Sequence, residues 1–444
     1  MTSASAPLTA RSMAAYGAMA LPLAFAGLPV YLHAPDFYAT DLGVSLAALG
    51  TVLLGLRLID AVQDPFIGSL SDRWSSHRGL ILWIGALMLG GGFWMVFTPM
   101  GSAPLLWFAA AVLLCTTGFS VVSINLQALG GLWHASDADR TRIASWREGF
   151  GLLGLLLAAM APTVLAFGDP RAVAFERLAL LYLPLLALGL LLLLRWLRRA
   201  QLDAPAADEA GVGWREVLAG RWRRQFFGLY LANTVAGSIP AVLVMFFIRD
   251  RIGAEAQTGL FLLAYFLSGA LSMALWPRIA ARFGKPQAWA LSMGLAIATF
   301  VWASLLGPGD VTAYAVVCIL SGLALGADLA LPAAILADHI ARDRAQDAAS
   351  RLYSVMTFVS KAALALATGL VLPTLGLLGY VPGSALTETG GLLLSLAYAA
   401  LPCLLKAVTL VWLLKMMPVL APAPLAPDAA AGVDGVPGSG RPAL

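Results

Sequence analysis

Twelve long apolar runs dominate this sequence and limit what it can fold into. A bilayer core about 30 Å thick needs roughly 20 apolar residues per crossing helix, and each run has at least that length. Hydrophobic residues make up 60% of the chain and charged residues only 12%, against roughly 45–50% and about 25% in soluble proteins. The sequence therefore predicts an all-α membrane protein. The approximate limits of its twelve transmembrane helices are 13–34, 45–70, 79–99, 104–130, 146–168, 178–197, 225–248, 257–277, 286–306, 311–336, 354–377 and 393–415.

Basic residues concentrate in every second connection between these runs. The rich set lies at 73–78, 140–147, 198–224, 278–285 and 342–351, whereas the alternate set holds only Arg171, Arg177, Arg249 and Arg251. Because basic loops stay in the cytoplasm, we expect both termini there and the protein in the inner (plasma) membrane. The basic residues do not form one continuous surface, so nucleic acid is not an expected partner.

The longest connection divides the spans six and six. We predict an N-terminal half at 1–197, a cytoplasmic central loop at 198–224 and a C-terminal half at 225–417. Within the loop, 214–222 predicts an amphipathic helix on the membrane surface. The remainder, 418–444, is rich in Pro, Ala and Gly and predicts a disordered tail.

Three charged residues lie inside the second span. Asp60 and Asp64 are four residues apart and Arg57 precedes Asp60 by three, so all three share one helix face. Each such charge costs roughly 2.5–3.5 kcal/mol at the bilayer centre. The two acids predict a binding site for Na⁺ or H⁺, with Arg57 in a coupling role. The alternative is a structural Arg57–Asp60 pair.

A further basic residue, Lys361, lies about two turns inside the eleventh span. It could extend to the interface, as long basic side chains do. The hypothesis we favour is that Lys361 pairs with Asp60 and Asp64 when no cation is bound. Cation binding would then be linked to the contact between the halves.

Other polar residues within the spans are weaker candidates. Ser120 and Ser123 are assigned to the cation site with Asp60 and Asp64. For Lys406 we expect extension to the interface. The candidate substrate-binding residues, for which helix–helix hydrogen bonds are the alternative, are Asn125, Gln127, Arg147 and Asp328.

The loop after the second span resembles the loop signature of the major facilitator superfamily. It runs from Gly68 through Asp72 and Arg73 to Arg78. The corresponding loop of the second half, 276–285, keeps the basic character without the acid. The resemblance implies two six-helix halves that enclose a substrate near mid-membrane and rock around it.

The second-span pattern Arg57-x-x-Asp60-Ala-x-x-Asp64-Pro65-x-x-Gly68 resembles that of the glycoside–pentoside–hexuronide:cation symporters, typified by the melibiose carrier. Further similarities lie at 37–43, 140–147 and 337–361. In that family the paired acids bind Na⁺, Li⁺ or H⁺, and a lysine at the position of Lys361 lies nearby. The resemblance thus implies cation-coupled symport of a sugar or glycoside.

Two departures leave the substrate open. The melibiose carrier holds its sugar with acids in the first and fourth helices, but here 23–27 is apolar and Ser123 replaces the fourth-helix acid. Sodium-dependent lysophospholipid symporters are similar, so a lysolipid or other amphiphile is the alternative substrate. A non-transporting membrane sensor is a further alternative.

We find no pattern of an enzyme, a cofactor site or a metal site beyond a possible Na⁺ at Asp60 and Asp64. Cys115, Cys318 and Cys403 lie in apolar runs without metal-ligand spacing, which predicts a packing role. Lipid and a small solute are the expected partners of a monomer.

Overall fold

The computed structural model describes residues 8–166, 171–203, 213–380 and 388–420. Helices account for nearly all of this part of the chain. We number the twelve membrane helices α1–α12. They are Ala10–Thr40, Leu46–Arg73, Arg78–Phe97, Pro104–Leu132, Asp137–Ala166, Arg171–Leu197, Arg221–Ile252, the bent pair Glu255–Ser272 and Trp276–Phe283, Lys285–Leu305, Val311–Arg342, Ala349–Leu377 and Glu388–Leu420.

Charged residues within the span distinguish α2 from the other helices. In the described residues, ten helices are long and apolar enough to cross a membrane singly, and the bent pair of α8 makes an eleventh. The remaining one, α2, carries Arg57, Asp60 and Asp64 within eight residues. The prediction of twelve spans in two six-helix halves is confirmed, and α2 contains the candidate cation site.

Local sequence explains where the helices begin and bend. The Thr9 side chain accepts from the main-chain N–H of Ser12 at 3.2 Å and caps α1, and Pro104 starts α4, where its missing N–H costs nothing. The eighth span bends by 45° between Ser272 and Trp276, just before Pro277. The span predicted at 257–277 is thus formed by two helical segments, and it continues to Phe283.

The central loop differs from its prediction. A surface helix over 214–222 was expected, but only Trp214–Val217 is helical before α7 begins at Arg221. Gly220 adopts φ 97°, a left-handed conformation that a helix cannot contain. At the other end, α12 runs to Leu420, and the predicted tail beyond it lies outside the described residues.

Apolar cores fill both halves, and one core includes residues of each half. Three membrane helices line each side of the contact between the halves. In the N-terminal half, α3 and α4 approach most closely at glycines. A Cβ on Gly92 would lie 2.3 Å from the main-chain nitrogen of Cys115, and one on Gly118 would lie 2.3 Å from that of Leu89. Small residues allow backbones to touch in this way.

Neighbouring glycines of α3 provide a matched test of this packing. We expect Gly92→Ala to lower the free energy of unfolding by about 1–3 kcal/mol, because main-chain atoms of α4 must move. A Cβ added to Gly91 would have no other atom within 4 Å, so Gly91→Ala should leave stability unchanged or raise it by up to about 1 kcal/mol. Thermal unfolding in detergent measures both, and equal effects of the two substitutions would contradict the close approach.

Candidate functional site

The amino group of Lys361 lies among oxygen atoms of α2 and α4. Its Nζ is 2.9 Å from Asp60 Oδ1, 2.9 Å from Asp64 Oδ1 and 2.9 Å from Ser120 Oγ. It also donates to the main-chain oxygen of Asp60 at 3.0 Å. Since α11 belongs to the C-terminal half and α2 and α4 to the N-terminal half, this ion-pair cluster joins the halves. We call these four residues the Lys361 cluster.

Burial makes it costly to keep the two acids of the Lys361 cluster charged. Asp64 is fully buried, Asp60 is 6% exposed, and the Lys361 side chain is 20% exposed. Removing two carboxylates from water is costly, and a hydrogen-bonded cation offsets that cost. One carboxylate oxygen, Asp64 Oδ2, is buried without a hydrogen-bond partner in the described residues, so the set retains an unused ligand atom.

Two further residues support the carboxylate of Asp60. Gln63 Nε2 donates to Asp60 Oδ1 at 3.0 Å, and Thr117 Oγ1 donates to Gln63 Oε1 at 3.0 Å. Ser120 Oγ also lies 3.3 Å from Asp60 Oδ1. These bonds tie α2 to α4 within one half, so the carboxylate has a fixed position even when the other half moves. Gln63 and Thr117 were not singled out from the sequence, although Gln63 lies between the two acids.

Arg57 lies apart from the Lys361 cluster. Its guanidinium carbon is 5.3 Å from the ring centroid of Tyr31, and Arg57 is exposed. No ion pair joins it to Asp60 in the described part of the chain. The alternative of a structural Arg57–Asp60 pair is therefore wrong, because Lys361 takes the position beside that acid.

The α2–α11 contact ends near Lys361. From Asp60 to Asp72, the exposed residues of α2 are Val62, Phe66 and Leu70, spaced as one lipid-facing stripe. Between 47 and 59, exposure spreads to other faces of α2. Helix α11 changes likewise: after Lys361, most residues from 364 to 377 are exposed, and burial is restricted to one stripe. The Lys361 cluster thus lies at the closed end of the space between the halves.

On the other side of the cluster, toward the arginine-rich loops, the halves are held together by Asp72. Its carboxylate accepts from the main-chain N–H groups of Ser350 at 2.8 Å and Arg351 at 3.0 Å, and from Arg351 Nε at 3.1 Å. Arg78 Nη1 donates to Ser350 Oγ at 3.0 Å. Asp72 therefore caps the start of α11, where a negative charge is favoured. We call this side of the molecule the basic face.

A second set of charges at the basic face also joins the halves. Arg140 on α5 lies 3.3 Å from Asp338 on α10, and Lys285 on α9 pairs with the same carboxylate. Asp137 lies 2.9 Å from Arg140. Together with Asp72, these pairs hold the basic face closed.

Asn125 belongs to this closed face rather than to the open space. It is fully buried; its Nδ2 donates to Ser71 Oγ at 2.8 Å, and its Oδ1 accepts from Arg78 at 3.4 Å. Every polar atom of the Asn125 side chain thus has a protein partner. This location favours the helix–helix alternative over substrate contact.

The structure separates Ser123 from the cation candidates. Its Oγ accepts from Gln127 Nε2 at 3.3 Å, and the same nitrogen lies 3.4 Å from Thr357 Oγ1 on α11. Ser120, one helical turn earlier, makes the contact with Asp60 instead. Ser123 and Gln127 are only partly buried and lie at the contact between α4 and α11.

Arg147 forms a buried pair with its neighbour. Its Nε donates to Glu148 Oε1 at 2.9 Å, and Arg147 is 6% exposed. The main chain at Trp146 and Arg147 packs against Gly17 of α1, where an added Cβ would lie 3.1 Å from the Trp146 carbonyl carbon. Arg147 is thus a charge inside the N-terminal half, close to α1.

A second buried charge pair lies within the C-terminal half. Lys406 Nζ is 2.6 Å from Asp328 Oδ2 and 2.8 Å from Asn233 Oδ1. Asp328 Oδ1 accepts from Trp289 Nε1 at 3.1 Å and from Asn233 Nδ2 at 3.3 Å. The expectation that Lys406 extends to the interface is therefore wrong, because its partner lies inside the half. Four helices, α7, α9, α10 and α12, meet at this pair.

The Asp328–Lys406 pair can be tested by comparing single and double substitutions. We expect Lys406→Met to lower the free energy of unfolding by about 3–5 kcal/mol, because it leaves a buried carboxylate without its cation. Combining it with Asp328→Asn should restore part of that loss, since no net charge remains. Thermal unfolding in detergent measures both variants; additive losses in the double variant would contradict direct pairing.

Comparisons with known proteins identify the family. The chain matches the family described as MFS/sugar transport protein over residues 13–418. The inner membrane symporter YicJ of Escherichia coli is 27% identical over 55% of this chain and 55% of its own length. The chain thus aligns with about half of that relative. The isoprimeverose transporter of Lactiplantibacillus pentosus is 25% identical over 33% of this chain and 32% of its own.

A solved structure agrees in fold. The major facilitator superfamily transporter FucP of Escherichia coli, in its outward conformation, superposes with a TM-score of 0.66 at 14% identity, covering 91% of this chain and 98% of that one. Twelve helices in two halves and a match across most of the sequence lead to one conclusion. The chain belongs to the MFS/sugar transport protein family of transporters, as its resemblance to the glycoside–pentoside–hexuronide:cation symporters predicted.

Proposed function

We propose that this protein is a symporter that moves a small organic solute, such as a sugar or glycoside, together with Na⁺ or H⁺ by alternating access. The observation that carries the proposal is the Lys361 cluster. Four oxygen atoms, from Asp60, Asp64 and Ser120, surround an ammonium group at the contact between the halves. Carboxylate, hydroxyl and carbonyl oxygens are also the ligands that hard cations prefer. Names of relatives, including a symporter and an isoprimeverose transporter, support the same function.

In this proposal, Lys361 and the transported cation compete for one set of oxygens. When the cation binds, Asp60 and Asp64 keep a positive partner, and Lys361 is free to leave α2. The ion pair between the halves is then exchanged for a cation held by the N-terminal half alone. The net charge of the two acids and their cation is the same in both states, which keeps the barrier to rocking low.

The positions of the basic loops suggest how the chain is oriented in the membrane. The basic face carries the arginine-rich loops, so we assign it to the cytoplasm. The space that ends at the Lys361 cluster then faces outward, and solute and cation would enter from that side. Gln127, Arg147 and Asp328 are proposed to act on the solute, and Asn125 to act in the closure of the basic face.

Transport measurements test whether solute uptake is coupled to a cation. In proteoliposomes, we expect a Na⁺ or H⁺ gradient to drive solute uptake, and Asp60→Asn and Asp64→Asn to reduce it to the level of empty vesicles, because each removes a negative charge that binds the cation. Asp310→Asn is the matched control, since Asp310 is exposed just before the start of α10, away from the cluster. A screen of sugars, glycosides and lysolipids identifies the solute. Undiminished gradient-driven uptake in both variants would overturn the proposal, and uptake of lysolipids alone would favour the amphiphile alternative.

A substitution of Lys361 distinguishes competition between the lysine and the cation from a role of the lysine in forming the cation site. If Lys361 competes with the cation, Lys361→Met should still bind the cation, with unchanged or higher affinity, while accumulation of solute is lost. Isothermal titration with Na⁺ and with protons, beside vesicle uptake, measures the two effects. Loss of cation binding in Lys361→Met would show that the lysine is needed to form the site and would rule out competition.

A further inference from the structure

A cleft of about 330 Å³ lies between α5 and α8, on the outer side of the molecule near the basic face. Arg142, Ser145 and Trp146 of α5 form one wall, and Met273 and Arg278 of α8 form the other. One wall belongs to each half. Helix α8 bends by 45° just beside the cleft.

The two arginines retain hydrogen-bonding capacity toward the cleft. Arg142 donates from Nη1 to Asp139 at 2.9 Å, and Arg278 donates from Nη1 to the main-chain oxygen of Ala274 at 3.0 Å. A guanidinium has five N–H donors, so most donors of each arginine have no partner in the described part of the chain. Both side chains are exposed at the cleft.

Ser145 supplies an independent indication of a ligand. The residue is only 4% exposed and lines the cleft, yet its hydroxyl has no hydrogen-bond partner among the described residues. Buried hydroxyl groups almost always have a partner. The hydroxyl oxygen is closed to solvent in this conformation, so a ligand in the cleft would pair with it once the Ser145 side chain turns toward the cleft.

The depth of the cleft selects the kind of ligand. Helix α5 begins at Asp137, so Arg142 lies about 8 Å and Ser145 about 12 Å along the helix axis from its end. The predicted fifth span begins at 146, so both residues lie just before it, at the level expected for lipid headgroups. Trp146 and Met273 add an apolar surface at the same level, and tryptophan favours this interface.

We propose that this cleft binds an anionic phospholipid of the leaflet at the basic face. Its phosphate would accept from Arg142 and Arg278, an oxygen of its glycerol region would pair with Ser145, and an acyl chain would pack on Trp146 and Met273. Charge complementarity argues for this ligand, because guanidinium groups bind phosphate strongly through paired donors. A basic site between membrane helices suits acidic headgroups.

The lipid would also influence the transport cycle. Because the arginines belong to different halves, one phosphate can bridge them only while α5 and α8 are close. The bound lipid therefore favours the conformation in which the basic face is closed. This inference does not depend on the identity of the solute or of the coupled cation.

Lipid retention tests the site directly. The purified full-length protein is titrated with dioleoyl phosphatidylglycerol, with dioleoyl phosphatidylcholine or with inorganic phosphate, and bound molecules are counted by native mass spectrometry. We expect one tightly retained phosphatidylglycerol. Its affinity should fall about tenfold or more in Arg142→Gln/Arg278→Gln, through loss of charge-assisted hydrogen bonds. Arg224→Gln, an exposed arginine of α7 at the same face, should retain the lipid.

Other outcomes of the titration overturn the proposal. Equal retention of phosphatidylcholine would show that the headgroup charge is irrelevant. Displacement of the lipid by millimolar inorganic phosphate would indicate a free-anion site. Unchanged retention in the double variant would locate the lipid elsewhere. Should the double variant not fold, Arg278→Gln and Ser145→Ala give the same comparison, with a smaller loss of affinity expected in each.

A distance measurement tests the conformational part. Spin labels at the exposed residues Ser76 and Arg344, on opposite halves of the basic face, report its closure after the three native cysteines are replaced by alanine. In nanodiscs, phosphatidylglycerol should raise the population of the short distance relative to phosphatidylcholine, and Arg142→Gln/Arg278→Gln should abolish the difference. An identical distance distribution in both lipids would refute the link to closure.

Discussion

Charge compensation between α2 and α11 is the interaction on which the arrangement of the two halves depends. Two carboxylates buried in one helix cannot remain ionised in a low-dielectric interior without a nearby cation. Lys361 supplies it from the other half, at 2.9 Å from each acid. Folding of the N-terminal half alone would leave Asp60 and Asp64 without this partner. The halves are thus coupled by the electrostatic requirement of one helix.

The Asp328–Lys406 pair differs from the Lys361 cluster because it does not join the two halves. Asp328 and Lys406 both belong to the C-terminal half, and Asn233 and Trp289 complete their hydrogen bonds there. That pair can persist unchanged while the halves rock. One charge pair is therefore exchangeable between conformations and the other is internal, although composition alone would treat the two lysines as equivalent.

Hydropathy and charge predicted the spans, the two halves and the approach of Lys361 to Asp60 and Asp64. These features depend on how deep each residue lies in the membrane. The limits of an apolar run determine that depth, because they place the helix along the membrane normal. Rotation about the helix axis was not predictable, because it is set by packing against neighbours. Ser120 and Ser123 are both serines of α4, but only Ser120 points to Asp60. Lys406 was misjudged for the same reason: the partner that holds it lies 78 residues away on a helix whose rotation was unknown.

At the basic face, the acid of α2 binds α11 mainly through main-chain donors. Asp72 receives the N–H groups of Ser350 and Arg351, which any residue except proline would supply. This contact therefore requires one particular side chain on α2, Asp72, whereas on α11 it requires mainly the main-chain N–H groups at the start of the helix. Substitutions at 350 and 351 other than proline would keep these two main-chain donors, whereas loss of the Asp72 carboxylate would remove the acceptor that both share. The contact between α2 and α11 therefore depends more on the side chain at 72 than on those at 350 and 351, whereas Arg140 and Asp338 join α5 to α10 separately.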